Sequence, residues 1–236
     1  MSPIIFIHGA GLHAGFWQHQ TKFFAEAVTI DLPGHGDSTG EAESTVAAYA
    51  EWLAKEARNI DSGPVTLVGH SMGSLVALET AARNPDFVDH LVMIATAASM
   101  PVHRDLLAAA GDNDPEAAAM VMKWSLSRDA GFGRPKAWVG EITDAFVDTA
   151  KSGVLAKDFI ACDSYTETIA MAERVQCPTL MLLGERDVMT KPPAAQPLGA
   201  ALADARIVIV EGAGHMLPLE NPADVNDAIT LFLTSG

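Results

Sequence analysis

The sequence predicts an α/β fold: a mostly or wholly parallel six-stranded sheet with helices on both faces and a helical insertion. Three observations lead there. Six short runs rich in Val, Ile and Leu recur along the 236 residues, and their apolar character is unbroken rather than alternating. That pattern belongs to strands covered on both faces. Amphipathic stretches separate the runs, and one long interval, 98–174, interrupts the alternation with helical patterning alone.

In chain order, "PIIFI" (3–7) reads as the first strand, followed by a helical pattern over 13–26. "AVTIDL" (27–32) is the second strand and 43–60 the next helix. "PVTLVG" (64–69) runs directly into a helix at 72–83, and "HLVMIA" (90–95) is the fourth strand. Within 98–174 four segments have helical periodicity, at 103–111, 115–128, 134–150 and 155–174, with Trp124, Phe132, Trp138, Phe146 and Phe159 spread among them. "PTLMLLG" (178–184), a helix at 192–203, "RIVIVEG" (206–212) and a helix at 222–234 complete the chain. The expected organisation is a core formed by 1–97 and 175–236, with 98–174 as a helical cap; there is no internal repeat or Gly/Ser-rich tether.

Composition narrows the function. With 30 acidic against 15 basic residues, the formal charge of -15 repels phosphate backbones and anionic lipid, so nucleic-acid and membrane-surface roles are not expected. Cys162 and Cys177 lack metal-site spacing and read as buried free thiols of a reducing compartment. The opening "MSPIIFIHG" has no basic residue before its short apolar run, which does not read as a secretory signal. No run approaches the roughly 18 apolar residues of a membrane span, so a cytoplasmic location is expected.

Ligands of open parallel sheets bind beyond the carboxyl ends of the strands. Those ends carry "HGAG" (8–11), "DLPGHGDS" (31–38), "GHSMGS" (69–74), "GERD" (184–187) and "EGAGHMLPLENP" (211–222). Ser71, Asp187 and His215 therefore follow three different strands, in that order. "GHSMG" fits the G-x-S-x-G nucleophile elbow in a strand–turn–helix context. Gly69 and Gly73 have a steric role there, because a sharp turn leaves no room for side chains two residues either side of the serine. As the alternative, Ser71 is a small polar cap on the following helix, since Ser is a preferred N-cap. That alternative leaves Asp187 and His215 unexplained.

These segments resemble the α/β-hydrolase superfamily over essentially the whole chain, in particular its small bacterial esterase-like members with a helical cap. The resemblance implies an α/β-hydrolase fold with Ser71 as nucleophile, Asp187 as acid and His215 as general base. It places the oxyanion-hole N–H groups on Ala10 and Met72. The family's usual plan has two further leading strands, whereas this sequence starts at the strand before "HGAG"; six strands, all parallel, are expected. No metal or organic cofactor is implied, and the expected partner is a small ester-like molecule.

The remaining candidates have plainer roles. His8 and His70 adjoin motif glycines and read as packing or hydrogen-bonding residues, His35 as an organiser of its loop, and Asp31 as a turn residue. His13, His19, His90 and His103 read as surface or supporting residues, of which His13 could approach the site mouth. The segment "IATAASM" after the fourth strand offers no carboxylate, which leaves Glu185 as the weak competitor of Asp187. Ser at the nucleophile position separates the chain from the dehalogenases and epoxide hydrolases of this fold, which use a carboxylate. Gly9 stands where its hydroxynitrile lyases carry Thr. A carboxylesterase acting on small, fairly apolar esters is the leading expectation. The same triad also serves lactones, thioesters and the C–C bond of diketones, and a hydrolase-like ligand receptor is the alternative from another class.

Overall fold

A computed structural model describes residues 2–112, 116–126 and 136–235, with backbone alone over 136–139. Its sheet has six strands: β1 (Ile4–Ile7), β2 (Val28–Ile30), β3 (Val65–His70), β4 (Val88–Ile94), β5 (Thr179–Gly184) and β6 (Ala205–Val210). They lie in the order β2-β1-β3-β4-β5-β6, and every neighbouring pair is parallel. The expected all-parallel, six-stranded sheet is therefore the one found.

Because side chains alternate across a pleated strand, each central strand feeds two cores. Ile5, Ile7, Leu67, Leu91, Met93 and Met181 face one side, under α2 (Val46–Ile60), α3 (Met72–Arg83) and α9 (Pro192–Ala201). Phe6, Val68, Val92, Ile94, Leu180 and Leu182 face the other, against Trp17 and α11 (Pro222–Thr234). Burial on both faces holds throughout β3 and β5 but fails at β6, an edge strand where Ile209 is 47% exposed. An apolar run does not by itself distinguish a central strand from an edge.

Local geometry also redraws three expected elements. The helix at 13–26 is a 3-10 turn (Ala14–Trp17) followed by α1 (Gln18–Phe23). β4 begins at Val88, two residues before the expected start, and so takes in the polar Asp89 as well as His90, both half-buried. The helix expected at 155–174 divides into α7 (Val154–Ser164) and α8 (Thr168–Ala172), because Tyr165 turns to extended backbone and its hydroxyl donates to the buried Glu79 of α3.

Between β4 and β5 lie α4 (Arg104–Gly111), α5 (Glu116–Ser125), α6 (Lys136–Lys151), α7 and α8, with α10 (Leu217–Glu220) following β6. Leu106, Val121, Phe146, Leu155 and Phe159 of the inserted helices join the same apolar cluster as the strand residues Phe6 and Ile94. Phe132 and the side chain of Trp138 lie outside the described residues. Among the described residues, no helix is long and apolar enough to cross a membrane.

Candidate active site

β3 ends in a backbone turn that few residues adopt: Ser71 has φ 50° and ψ -120°. The φ is in the left-handed region, where a non-glycine residue is strained, and such strain is concentrated at functional sites. The surrounding structure holds it there. Ser71 N–H donates to Ile94 O (2.8 Å), and the Ser71 carbonyl accepts both Ser74 N–H (2.8 Å) and Ser74 Oγ–H (2.6 Å). The flanking glycines are a steric necessity. A Cβ on Gly69 would sit 2.2 Å from Gly73 O, and one on Gly73 would sit 2.4 Å from His8 O. Ser71 occupies the N-cap position of α3, yet its side chain makes no capping hydrogen bond. The capping explanation for this serine is thereby removed.

Its hydroxyl faces His215 instead, with Oγ 3.0 Å from His215 Nε2. On the far side of the ring, Nδ1 lies 2.8 Å from Asp187 Oδ2. His215 and Asp187 are both buried. Asp187 Oδ1 accepts the N–H groups of Met189 (2.8 Å) and Thr190 (2.9 Å), and Oδ2 also accepts Thr190 Oγ–H (2.6 Å). Burial opposes ionisation of Asp187, but the adjacent His215 and the hydrogen bonds from His215 and Thr190 outweigh it, holding the carboxyl well below the usual carboxylate range. An ionised Asp187 accepts from Nδ1–H, which leaves Nε2 as the acceptor for the Ser71 hydroxyl proton.

Several further residues fix this arrangement, and of these only His70 has a sequence signal of its own, as a hydrogen-bonding residue of its motif. Thr190 bonds both oxygens of Asp187, and its one sequence clue is its position three residues after that acid. Glu220 accepts Gly214 N–H and Met216 N–H, each at 3.0 Å, and so ties the backbone on either side of His215. The carbonyl of Ser125, at the end of α5, accepts His215 N–H at 2.8 Å. His70 Nε2–H donates to His215 O at 2.9 Å; burial, then the neighbouring His215, pushes its pKa down to about 3, so the ring is neutral.

The other sequence candidates have structural partners. Asp31 accepts Ala14 N–H (2.6 Å) and Asp37 N–H (3.0 Å), binding two loops together. Glu185 is exposed and accepts Gly212 N–H, away from His215. His8 donates through Nδ1 to Gly9 O (2.9 Å) and accepts Leu32 N–H at Nε2 (3.0 Å). His13 is exposed, caps the 3-10 turn and does not reach the site, whereas His103, a surface residue as expected, lines the cavity over Ser71 and packs against Trp124. Cys162 is buried, and burial pushes its thiol pKa up, which suits an inert side chain.

Above Ser71 lies a cavity of about 360 Å³. Ala10, Ser71 and His215 form its floor, and Leu106, Val121, Trp124, Phe146 and Phe159 of the inserted helices contribute walls. Met72 is fully buried, its side chain in the core, at the first position of α3, where helical N–H groups have no intrahelical acceptor and the helix dipole is positive.

A family model described as the alpha/beta hydrolase family matches residues 4–228. The chain belongs to this family. Among its relatives is the (E)-2-((N-methylformamido)methylene)succinate hydrolase of Acinetobacter baylyi, 25% identical, with 98% of this chain and 90% of the relative covered. A pimeloyl-[acyl-carrier protein] methyl ester esterase of Chromobacterium violaceum is 29% identical over 98% of this chain and 93% of its own length. The crystal structure of an enol-lactonase from Burkholderia xenovorans superposes with a TM-score of 0.89 at 24% identity, covering 99% of this chain and 92% of that one. At that identity the superposition speaks for the fold. The named sequence relatives are hydrolases, which supports hydrolase activity for this member of the family.

Proposed function

We propose that the chain is a serine hydrolase that cleaves small, fairly apolar carboxylic esters through an acyl-enzyme on Ser71. One observation carries the proposal: the unbroken line from Asp187 Oδ2 through the His215 ring to Ser71 Oγ, at 2.8 and 3.0 Å, beneath a cavity walled by apolar side chains. A neutral serine hydroxyl is a weak nucleophile, so His215 Nε2 takes its proton as Oγ attacks the ester carbonyl. Asp187 holds the required tautomer and stabilises the imidazolium that forms. The N–H groups of Ala10 and Met72 receive the oxyanion, each donor contributing about 3–4 kcal/mol to the transition state. His215 returns the proton to the departing alcohol, then activates water against the acyl-enzyme.

In this reading the helices of 98–174 act as a cap whose Leu, Val and aromatic side chains receive the apolar part of the ester. The partner is a small molecule, with no nucleic acid or membrane involved and no cofactor required. A cytoplasmic setting suits the two buried free thiols. Steady-state assays on p-nitrophenyl esters, lactones and diketones test the proposal. Ester turnover that disappears in Ser71→Ala is the expected result. Ester turnover retained by that variant contradicts it, and turnover of lactone or diketone without ester reassigns the bond.

A further inference from the structure

Behind the cavity wall, α7 buries a carboxylate that the proposed chemistry does not use. Asp158 is fully buried and collects three donors. Its Oδ2 accepts Gly11 N–H and faces His35 Nε2, both at 2.8 Å, and its Oδ1 accepts the Tyr49 hydroxyl at 2.7 Å. The partners identify the protonation state of His35. Its Nδ1 lies 3.1 Å from Pro33 O, and its Nε2 faces the carboxylate. Both are acceptors alone, so both ring nitrogens carry protons and His35 is an imidazolium. Burial opposes that charge, and Asp158 together with the backbone hydrogen bonds at Pro33 and Leu32 outweighs it, raising the His35 pKa. The pair is fully enclosed, with both side chains at zero exposure.

Fold stability alone is a poor reason for such a pair. The cost of removing two charges from water offsets most of their attraction, and apolar side chains of similar volume generally serve stability as well. What the pair does accomplish is local. It holds Gly11, the residue next to Ala10, from a helix of the insertion. Thr149 of α6 reaches the same residue from the other side, its Oγ 3.2 Å from Gly11 O. There is no slack at this contact: Gly11 has φ +66°, and a Cβ there would lie 2.7 Å from Leu155 and 2.8 Å from Phe146.

We propose that Asp158 is a positioning residue for the oxyanion hole: anchored by His35 and Tyr49, its carboxylate fixes Gly11 and thereby the Ala10 N–H. The inserted helices then do more than wall the acyl pocket, since one of them sets a donor of the transition state. This rests on the serine-hydrolase reading above. Because the attachment is one residue removed from the donor, its loss displaces the Ala10 N–H without deleting it. The expected cost is therefore below the 10²–10³-fold of a deleted oxyanion donor.

The test uses the full chain carrying Asp158→Asn or Asp158→Ala. Active sites are titrated with a fluorophosphonate, so that kcat is expressed per functional serine. Asn keeps the volume of Asp, so this variant carries the experiment should Ala fail to fold. It removes the charge that keeps His35 protonated, and the one amide group at the Oδ2 position cannot both accept Gly11 N–H and donate to a deprotonated His35 Nε2. The expected result in both variants is a fall in kcat per titrated site of about 10–100-fold, with KM within threefold, the larger loss in Ala. Affinity for a trifluoromethyl ketone, whose adduct places an oxyanion in the same hole, falls by the same factor. A lower melting temperature with unchanged kcat per site and unchanged ketone affinity overturns the proposal, because that is what a purely structural Asp158 produces. Wild-type chain that neither takes the probe nor turns over ester overturns the hydrolase reading and this proposal with it. An active wild type beside an unaffected Asp158→Asn overturns the proposal alone.

Discussion

Replacing Asp187 with Asn preserves the shape of the side chain but turns one oxygen into an NH₂ group, and its surroundings decide which one. Oδ1 accepts two backbone N–H groups, from Met189 and Thr190, and neither can turn away. Placing the NH₂ there would set donor against donor twice in a buried site, at about 1–3 kcal/mol for each unsatisfied group. The amide therefore keeps its oxygen at Oδ1 and presents NH₂ to His215 Nδ1. That nitrogen must then accept, the ring proton moves to Nε2, and Nε2–H points at the Ser71 hydroxyl it should deprotonate. Loss of the correct tautomer lowers kcat about 10⁴-fold in the Ser-His-Asp proteases, which corresponds to roughly 5.4 kcal/mol. The same order is expected here, with KM little changed and the fold intact by circular dichroism. Steady-state hydrolysis of p-nitrophenyl butyrate measures it. A variant that folds and retains kcat within tenfold of wild type would refute the assignment of Asp187 as the acid.

Two further outcomes follow from packing and burial. Gly73→Ala forces a Cβ against the backbone of β1, which cannot yield as a flexible side chain would; the helix-propensity gain of about 1 kcal/mol is outweighed by overpacking of about 1–3 kcal/mol or more. Urea denaturation should show net destabilisation, and a variant as stable as wild type would contradict the elbow geometry. His70, with its folded pKa pushed down to about 3 against 6.5 in the unfolded chain, favours unfolding as pH falls below 6.5. His70→Gln retains a donor for His215 O and removes that titration, so the loss of stability between pH 6 and 4 should shrink by about 1.4 kcal/mol per pH unit; an unchanged slope would show that His70 is not neutral and buried.

Much of this molecule is written in local sequence, and the exceptions share a physical cause. The sheet is legible because Val/Ile/Leu runs must be covered on both faces. The grouping of Ser71, Asp187 and His215 is legible because each lies within five residues of the end of a strand, where backbone geometry and side-chain chemistry meet. The break between α7 and α8 is not, since it serves a contact between Tyr165 and Glu79 on a distant helix. Asp158 is hidden for the same reason: on α7 it looks like any polar helical residue, and its partners Gly11, His35 and Tyr49 come from elsewhere in the chain. The place of His103 on the cavity is hidden too, because its neighbour Trp124 lies on a different helix of the insertion. The edge position of β6 depends on strand order, which apolar content does not encode.

The central claim is that Ser71 forms a covalent bond with the group it attacks, and covalent labelling tests it most directly. Wild-type chain treated with a fluorophosphonate, then digested and sequenced by tandem mass spectrometry, should carry one phosphonyl adduct on Ser71, formed in step with the loss of ester turnover. An adduct on any other residue, or complete loss of turnover with Ser71 unmodified, would contradict the account.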